Sequence, residues 1–339
     1  MNDTSTAHAA APSSTPQRLN FEFRGQGMEY FKIWIVNILL TVVTLGIYSA
    51  WATVRNNRYF YSNLYLDNIN FRYLAEPIAI LKGRLIAMAA FIIYGITSQA
   101  APTIYLGLTV ALIFAIPYFL NQALSFERRM TAYNNIQFRF KATYGEAFMA
   151  VMVWPIIGVL SIGILYPLAF LKINQYVVKN SAYGTSNFDF KATYGDYGII
   201  FLTMIGVGLV IGLPIGLIAK FVPTLSIITP VLMIATYIGI LLYFIVQTSN
   251  LFFNSLSLKE HTFKSNATIG TLGKVVLINA LLTLVTFGLY LPAAKVRMTK
   301  YWCSCIVMDT VEPLDNFVAA EKENVTALGE EIGQVFDFA

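Results

Sequence analysis

The chain has 339 residues, of which 57% are hydrophobic and 12% are charged, and its mean hydropathy is +0.62. Soluble domains are about half apolar and a quarter charged, so this composition excludes a soluble protein and indicates membrane helices. The net charge of +5 comes from basic residues that flank apolar segments. That arrangement fits a lipid bilayer, with anionic lipid as a partner, and not nucleic acid.

The first 20 residues are rich in Ser, Thr, Ala and Pro and lack the apolar core of a signal peptide. We therefore expect a disordered cytoplasmic tail over residues 1–20. A transmembrane domain built from repeats is expected over residues 21–317. Residues 318–339 form an acidic tail that we expect to be solvated, and its acidic residues include Glu321 and Glu323.

Apolar runs of membrane length lie at about 30–51, 78–98, 104–124, 147–170, 197–219, 224–247 and 273–294. Unbroken apolar runs cross a bilayer as helices, whereas the strands of a membrane barrel alternate apolar and polar residues. The predicted fold class is therefore an all-α polytopic membrane protein with about seven apolar helical segments.

Three segments of the chain repeat one another, at about 21–63, 138–180 and 263–305. Each contains a Thr or Ser two residues before a glycine, and these glycines are Gly46, Gly163 and Gly288. Helix pairs at about 78–125 and 197–247 separate the three segments. Polar stretches with alternating aromatic residues, such as LYLDNINFRY at 64–73, predict short β-hairpins between the helices. Asp67-Asn68, Asn134-Asn135 and Gly184 are the expected turn residues.

Two topologies remain open for the repeated segments. If all seven runs span the membrane, the 23 basic residues divide 14 to 9 between its two sides. If the three repeated segments enter the membrane and return, 22 of the 23 share one side, as cytoplasmic loops prefer. The glycines would then form re-entrant turns. Alternatively each glycine kinks an ordinary span, since the run of about 16 residues before Gly46 is long for a half-span.

Asn37 and Asn279 lie in the middle of repeated helices, and each has a Thr four residues later, Thr41 or Thr283. Polar side chains in lipid usually bond a neighbouring helix, and the alternative is contact with a substrate or ion. Further on, a base and a Tyr at helical spacing recur in each repeat. These pairs are Arg55 with Tyr59, Lys172 with Tyr176, and Arg297 with Tyr301. They are candidates for contacts with anionic headgroups, or for simple interfacial anchoring.

No His/Cys/carboxylate cluster, phosphate loop or nucleophile motif is present, so we expect no enzyme activity, cofactor or metal. Cys303 and Cys305 are expected to be free thiols.

At FRGxGxEYF (23–31), TLGIYxxW (44–51) and RNNRY (55–59) the chain resembles the YjgN family of bacterial inner-membrane proteins, over about residues 20–315. The resemblance implies a multi-pass bacterial inner-membrane protein without assigned function, and it supplies no site residues. From the residues themselves, we expect transport or binding of a small solute or lipid. The alternative is a scaffold whose cytoplasmic hairpins bind an unknown protein partner. With 22 basic residues on one side, the N-terminus is expected in the cytoplasm.

Overall fold

The computed structural model describes residues 17–222, 224, 227–311 and 313–337, with side chains through residue 326. The described chain passes five times through the same succession of a strand, a helical hairpin and a second strand. A final helix follows the last strand.

The strands are β1 (Gln17–Phe23), β2 (Leu64–Leu66), β3 (Ile69–Tyr73), β4 (Thr131–Tyr133), β5 (Ile136–Phe140), β6 (Ser181–Tyr183), β7 (Ser186–Phe190), β8 (Leu256–Leu258), β9 (His261–Ser265) and β10 (Ile306–Thr310). The helices are α1 (Gly27–Val43), α2 (Ser49–Ser62), α3 (Pro77–Ala100), α4 (Pro102–Arg129), α5 (Tyr144–Phe148), α6 (Trp154–Leu160), α7 (Tyr166–Lys179), α8 (Tyr194–Val207), α9 (Leu213–Phe221), α10 (Thr229–Asn254), α11 (Ile269–Val285), α12 (Leu291–Cys305) and α13 (Leu314–Asp337). Two π-helical turns, Met149–Val153 and Gly208–Gly212, join α5 to α6 and α8 to α9.

The ten strands form one closed antiparallel barrel. Its closure joins the two ends of the chain, because β1 pairs with β2 on one side and with β10 on the other. Side chains alternate along each strand, so that apolar residues such as Phe21 face the interior while Asn20 and Glu22 lie on the opposite face. The prediction of an all-α fold is therefore wrong. The predicted β-hairpins exist, but they pair with one another across the whole chain.

Three of the four hairpin turns have the turn residues that the sequence predicts, and the fourth, between β8 and β9, contains Lys259. Asp67, Asn68, Asn134 and Asn135 have φ values between 46° and 66°, and Gly184 has a φ of 58°. Two-residue hairpin loops favour such residues because their backbone tolerates positive φ. The turns all lie at one end of the barrel, and every helical hairpin starts and ends at the other.

The helical hairpins have two lengths. Within the described residues, four helices are long and apolar enough to cross a membrane, which corrects the expected number of about seven: Pro77–Ala100, Pro102–Arg129, Tyr194–Phe221 and Thr229–Asn254. They form two tall hairpins, α3–α4 and α8–α10. The other three hairpins are shorter, and they correspond to the three repeated segments of the sequence.

Helix starts next to the barrel carry two capping boxes. The Thr143 hydroxyl accepts a hydrogen bond from the Glu146 backbone N–H, and the Glu146 carboxylate accepts one from the Thr143 N–H. Thr193 and Asp196 form the same pair at the start of α8. Each box satisfies two backbone donors that a helix start leaves without intrahelical partners.

The helix α13 lies across the end of the barrel that carries the hairpin turns. Its residues Leu314, Phe317 and Val318 are buried against the barrel core. Glu321, which we expected in a solvated tail, has an exposed fraction of 0%. Residues 1–16 of the predicted N-terminal tail lie outside the described residues, and residues 17–20 already belong to β1.

Candidate ligand chamber in the barrel

Five phenylalanines form a closed ring inside the barrel, one from each of the odd-numbered strands β1, β3, β5, β7 and β9. They are Phe21, Phe71, Phe138, Phe188 and Phe263. Each ring centroid lies 6.4–6.5 Å from the next, around the whole circuit. These separations fall within the range of attractive aromatic pairs. We call this set the phenylalanine ring.

The planes of neighbouring phenyl groups are inclined at 13–41°. If each of the five phenyl planes contained the barrel axis, neighbouring planes would be inclined by about 72°. The smaller observed angles mean that the phenyl planes lie closer to perpendicular to the barrel axis. A pentagon with sides of 6.4–6.5 Å has corners about 5.5 Å from its centre. After the width of the phenyl groups and van der Waals contact are subtracted, a central opening roughly 4 Å across remains.

The strand register places a second apolar layer next to the phenylalanine ring. Each phenylalanine is paired with a residue of the neighbouring short strand or of β10: Leu66, Tyr133, Tyr183, Leu258 and Met308. Together the two layers enclose a cavity of about 210 Å³, which we call the chamber. A ten-stranded barrel is wider than the eight-stranded barrels that side chains just fill, so a cavity is expected.

The chamber is apolar although two tyrosines line it. Tyr133 donates its hydroxyl proton to the Leu66 carbonyl at 2.9 Å, and Tyr183 donates to the Tyr133 carbonyl at 3.1 Å. Burial in the barrel raises the pKa of both hydroxyls far above the ordinary value, so both stay neutral. With these groups satisfied, the chamber favours hydrocarbon.

The end of the chamber away from the helices is covered by α13. Leu314, Phe317 and Val318 line it there. The carboxylate of Glu321 accepts hydrogen bonds from the Thr185 backbone N–H and hydroxyl and, at 2.7 Å, from the Ser186 hydroxyl. Lys259 lies 3.7 Å from the same carboxylate. The helix α13 is thus fixed to the β6–β7 and β8–β9 turns.

The predicted intramembrane polar residues lie inside their own hairpins. Asn37 donates to the side-chain oxygen of Asn56 at 2.9 Å, which joins α1 to α2, and Asn279 donates to the Ala294 carbonyl at 3.3 Å, which joins α11 to α12. Thr41 donates to the Asn37 carbonyl at 2.6 Å. Thr283 lies one turn after Asn279, and its carbonyl accepts from the Gly288 N–H. These four residues line neither the chamber nor three further cavities of about 150, 720 and 680 Å³.

The three predicted turn glycines all lie in helix–helix turns with positive φ: 93° at Gly46, 87° at Gly163 and 90° at Gly288. A side chain is strained in this region of the backbone, which is why glycine is needed. The preceding Thr or Ser stabilises each turn, as when the Thr44 hydroxyl accepts from the Tyr48 N–H at 2.9 Å. The turn tips are apolar and exposed, with exposed fractions of 95% at Leu45 and 97% at Phe287.

The predicted base–tyrosine pairs do not form a common site. Arg55 and Tyr59 line a groove of about 680 Å³, while Lys172 and Tyr176 line a separate groove of about 720 Å³. The hydroxyls of Tyr59 and Tyr176 bond protein groups, the Gln26 carbonyl and the Asn121 side chain respectively. In the third pair, Arg297 lies over the ring of Tyr290, and the Tyr301 hydroxyl contacts the Thr271 hydroxyl.

Sequence reasoning missed the phenylalanine ring. A four-residue motif could have revealed it: a polar residue, Phe, any charged residue, and Phe or Tyr. The motif occurs as NFEF at 20–23, NFRY at 70–73, QFRF at 137–140 and NFDF at 187–190. TFKS at 262–265 keeps the Phe of the ring but ends in Ser. Three of these motifs fall within stretches predicted as hairpins. The repeat alignment also places Phe21, Phe138 and Phe263 at equivalent positions, but it does not connect them with Phe71 and Phe188.

These features define a class: a closed β-barrel that carries helical hairpins of membrane length and encloses an apolar chamber. Within that class the chain belongs to the DUF898 family, described as bacterial proteins of unknown function, which matches residues 18–335. The resemblance to the YjgN family is also confirmed, because curated relatives carry that name.

The relative called Inner membrane protein YjgN from Salmonella typhimurium is 33% identical over 136 residues, which are 40% of this chain and 34% of the relative. Proteins of the same name from two Escherichia coli strains are 28% identical over 148 and 153 residues, each 43% of this chain and 37% of the relative. The matched part is therefore little more than a third of those relatives' length. No solved structure matches the chain.

Proposed function

We propose that the protein is a multi-pass protein of the bacterial inner membrane that binds the hydrocarbon chain of a lipid in its barrel. The chamber carries this proposal. Water finds few hydrogen-bond partners in an apolar cavity, whereas a hydrocarbon chain makes van der Waals contact with all of its walls. The role proposed is binding, without catalysis.

Helix lengths support the placement in the membrane. At 1.5 Å per residue, α3 and α4 extend about 36 and 42 Å, enough to cross a hydrocarbon core of about 30 Å. The 17-residue helices α1 and α11 extend about 25 Å from the same barrel, so their apolar tips would end inside the bilayer as re-entrant hairpins. With 22 of 23 basic residues on the barrel side, the barrel and the N-terminus would face the cytoplasm.

Two other functions have less support. Transport of a polar solute would require the intramembrane polar residues to border a cavity, but Asn37 and Asn279 bond within their own hairpins. A scaffold would present its hairpin aromatics to a partner, but Phe71, Phe138 and Phe188 face the barrel interior. The grooves at Arg55 and Lys172 fit contacts with anionic headgroups of the surrounding bilayer.

The test is photolabelling of the full chain in lipid nanodiscs with hexadecanol that carries a diazirine at its chain end. We expect labelled peptides from the chamber, including Leu258. Met308→Trp fills the chamber and should reduce chamber labelling about tenfold, whereas Val307→Trp, on the outer face of the same strand, should leave it unchanged. Labelling confined to the tall helices, and equal in both variants, would refute the proposal.

A further inference from the structure

A second cavity, of about 150 Å³, adjoins the chamber on the side of the helices. Phe138, Phe188 and Leu256 line both cavities, so the two spaces meet at the side of the phenylalanine ring formed by Phe138 and Phe188. The chamber has no polar lining besides the two satisfied tyrosines, but the second cavity is bordered by Arg128 and Ser181. A molecule that occupied both spaces would therefore meet hydrocarbon at one end and a positive charge at the other.

Arg128 is the group in this cavity that lacks a partner. Its Nε is buried and has no hydrogen-bond acceptor among the described residues. The ion pairs within the described part of the chain do not include it. The hydroxyl of Ser181, by contrast, already donates to the Val177 carbonyl at 2.7 Å. A buried guanidinium N–H without an acceptor is costly, and an anionic ligand would remove that cost.

The positive charge of Arg128 occurs in one of the five structural units, each of which consists of a strand, a helical hairpin and a second strand. Arg128 lies three residues before the first residue of β4. In the other four units, the second strand is β2, β6, β8 or β10. The residues three positions before these strands carry no charge: Tyr61, Val178, Phe253 and Cys303. The fold therefore does not need a base here, because four of the five units place an uncharged side chain at that level. This points to a role for Arg128 in binding rather than in packing.

We infer that Arg128 binds the carboxylate of a fatty acid, whose chain passes through the phenylalanine ring into the chamber. The inference rests on the proposed function, since it assigns a head to the chain bound there. The planar edge formed by Nε and a terminal nitrogen of arginine matches the two oxygens of a carboxylate. The opening of roughly 4 Å is close to the cross-section of one extended alkyl chain and admits only one.

The test uses the purified full chain in nanodiscs and three probes with 16-carbon chains: palmitate, hexadecanol and hexadecyl phosphate. At pH 8 we expect palmitate to bind at least tenfold more tightly than hexadecanol. Arg128→Gln should weaken palmitate binding at least tenfold and leave hexadecanol binding unchanged. Arg128→Lys keeps the charge but loses the two-point contact, so its affinity for palmitate should lie between those of the wild type and Arg128→Gln. Arg129→Gln is the matched control, because Arg129 is the adjacent, exposed base.

Three other outcomes would contradict the carboxylate site, the fatty acid as the ligand, or the proposed function. If Arg128→Gln folds, with thermal unfolding like that of Arg129→Gln, and binds palmitate as the wild type does, the carboxylate site is refuted while the chamber remains. If hexadecyl phosphate binds tenfold more tightly than palmitate, the head is a phosphate and the fatty-acid assignment is wrong. If hexadecanol does not bind to the wild type at all, the proposed function itself fails.

Discussion

The hydroxyl of Ser186 donates a 2.7 Å hydrogen bond to the carboxylate of Glu321, which lies 135 residues later in the chain. This contact fixes the start of α13 to the turn between β6 and β7. The turn is shaped for it: a Cβ atom at Gly184 would lie 2.5 Å from a Glu321 carboxylate oxygen. The helix that closes this end of the barrel is thus attached to the turns through a buried acid.

Replacing Glu321 with Gln should loosen α13. The amide has one oxygen in place of two, and its NH₂ group would face the donors of Thr185 and Ser186, at a cost of about 1–3 kcal/mol. Hydrogen exchange over residues 314–326 should become faster, while exchange in the strands stays the same. Glu323→Gln is the control, because Glu323 is exposed on the same helix. Equal exchange in the two variants would contradict the role of Glu321.

The attachment of α13 should depend on pH only in acid. Burial by itself would raise the pKa of Glu321, but hydrogen bonds from Thr185 and Ser186 and the charge of Lys259 outweigh it and hold the pKa below the ordinary 4.5. Because the folded pKa is the lower one, this stabilisation is complete above about pH 4.5 and is lost as the pH falls through the folded pKa. Hydrogen exchange of α13 measured between pH 7 and pH 3 checks this. Release of the helix between pH 7 and pH 5 is the result that would count against it.

The phenylalanine ring should contribute strongly to stability. Phe138→Ala removes a phenyl group that contacts two ring neighbours, Phe71 and Phe188, and should lower the free energy of unfolding by about 3 kcal/mol. Arg139→Ala, on the outer face of the same strand, should change it by less than about 1 kcal/mol. Thermal unfolding in nanodiscs measures both. Similar losses in the two variants would mean that the ring does not act as a packed unit.

The turn glycines should not tolerate a side chain. Gly288→Ala places a Cβ at a φ of 90° and should destabilise the protein by about 1 kcal/mol or more, although nearby space is sufficient. Gly83→Ala, inside α3 with no atom near the new Cβ, should instead raise stability by up to about 1 kcal/mol. The opposite signs are the prediction, and midpoints of thermal unfolding decide it.

The proposed topology places all hairpin turns in the cytoplasm. With Cys303 and Cys305 replaced, single cysteines at Asn68, Asn135 and Asn187 should react with an impermeant thiol reagent only after cell lysis. A cysteine at Gln99, at the tip of the α3–α4 hairpin, should react in intact cells. Labelling of Asn187 in intact cells would show that the units alternate in direction and would exclude the re-entrant arrangement.

Local structure could be predicted from the sequence, and the barrel could not. The turns at Asp67-Asn68 and Asn134-Asn135 have a local signal, since residues that accept positive φ lie between alternating apolar residues. The turn glycines were found from their spacing in the repeats. Strands of three to seven residues, however, carry little pattern of their own, and pairing between distant strands leaves no trace in either one.

The site depends on those distant pairings. Phe21 and Phe263 contact each other only because the barrel closes, and Phe21 lies outside the stretches predicted as hairpins. Arg128 was counted with the basic residues that flank a helix, where lipid anchoring is the usual explanation. Its burial next to the phenylalanine ring follows from the position of β4 in the barrel, which a single helix cannot reveal.

Barrel closure also has a consequence for biosynthesis. Gln17 and Thr310 are paired although 293 residues separate them. At about 5–20 residues per second, a ribosome needs roughly 15–60 s to proceed from one to the other. During that interval the helical hairpins can enter the membrane one by one, while the nascent barrel keeps unpaired strand edges. Neighbouring nascent chains on the same messenger RNA present the same edges, so slow translation before β10 should favour strand exchange between copies.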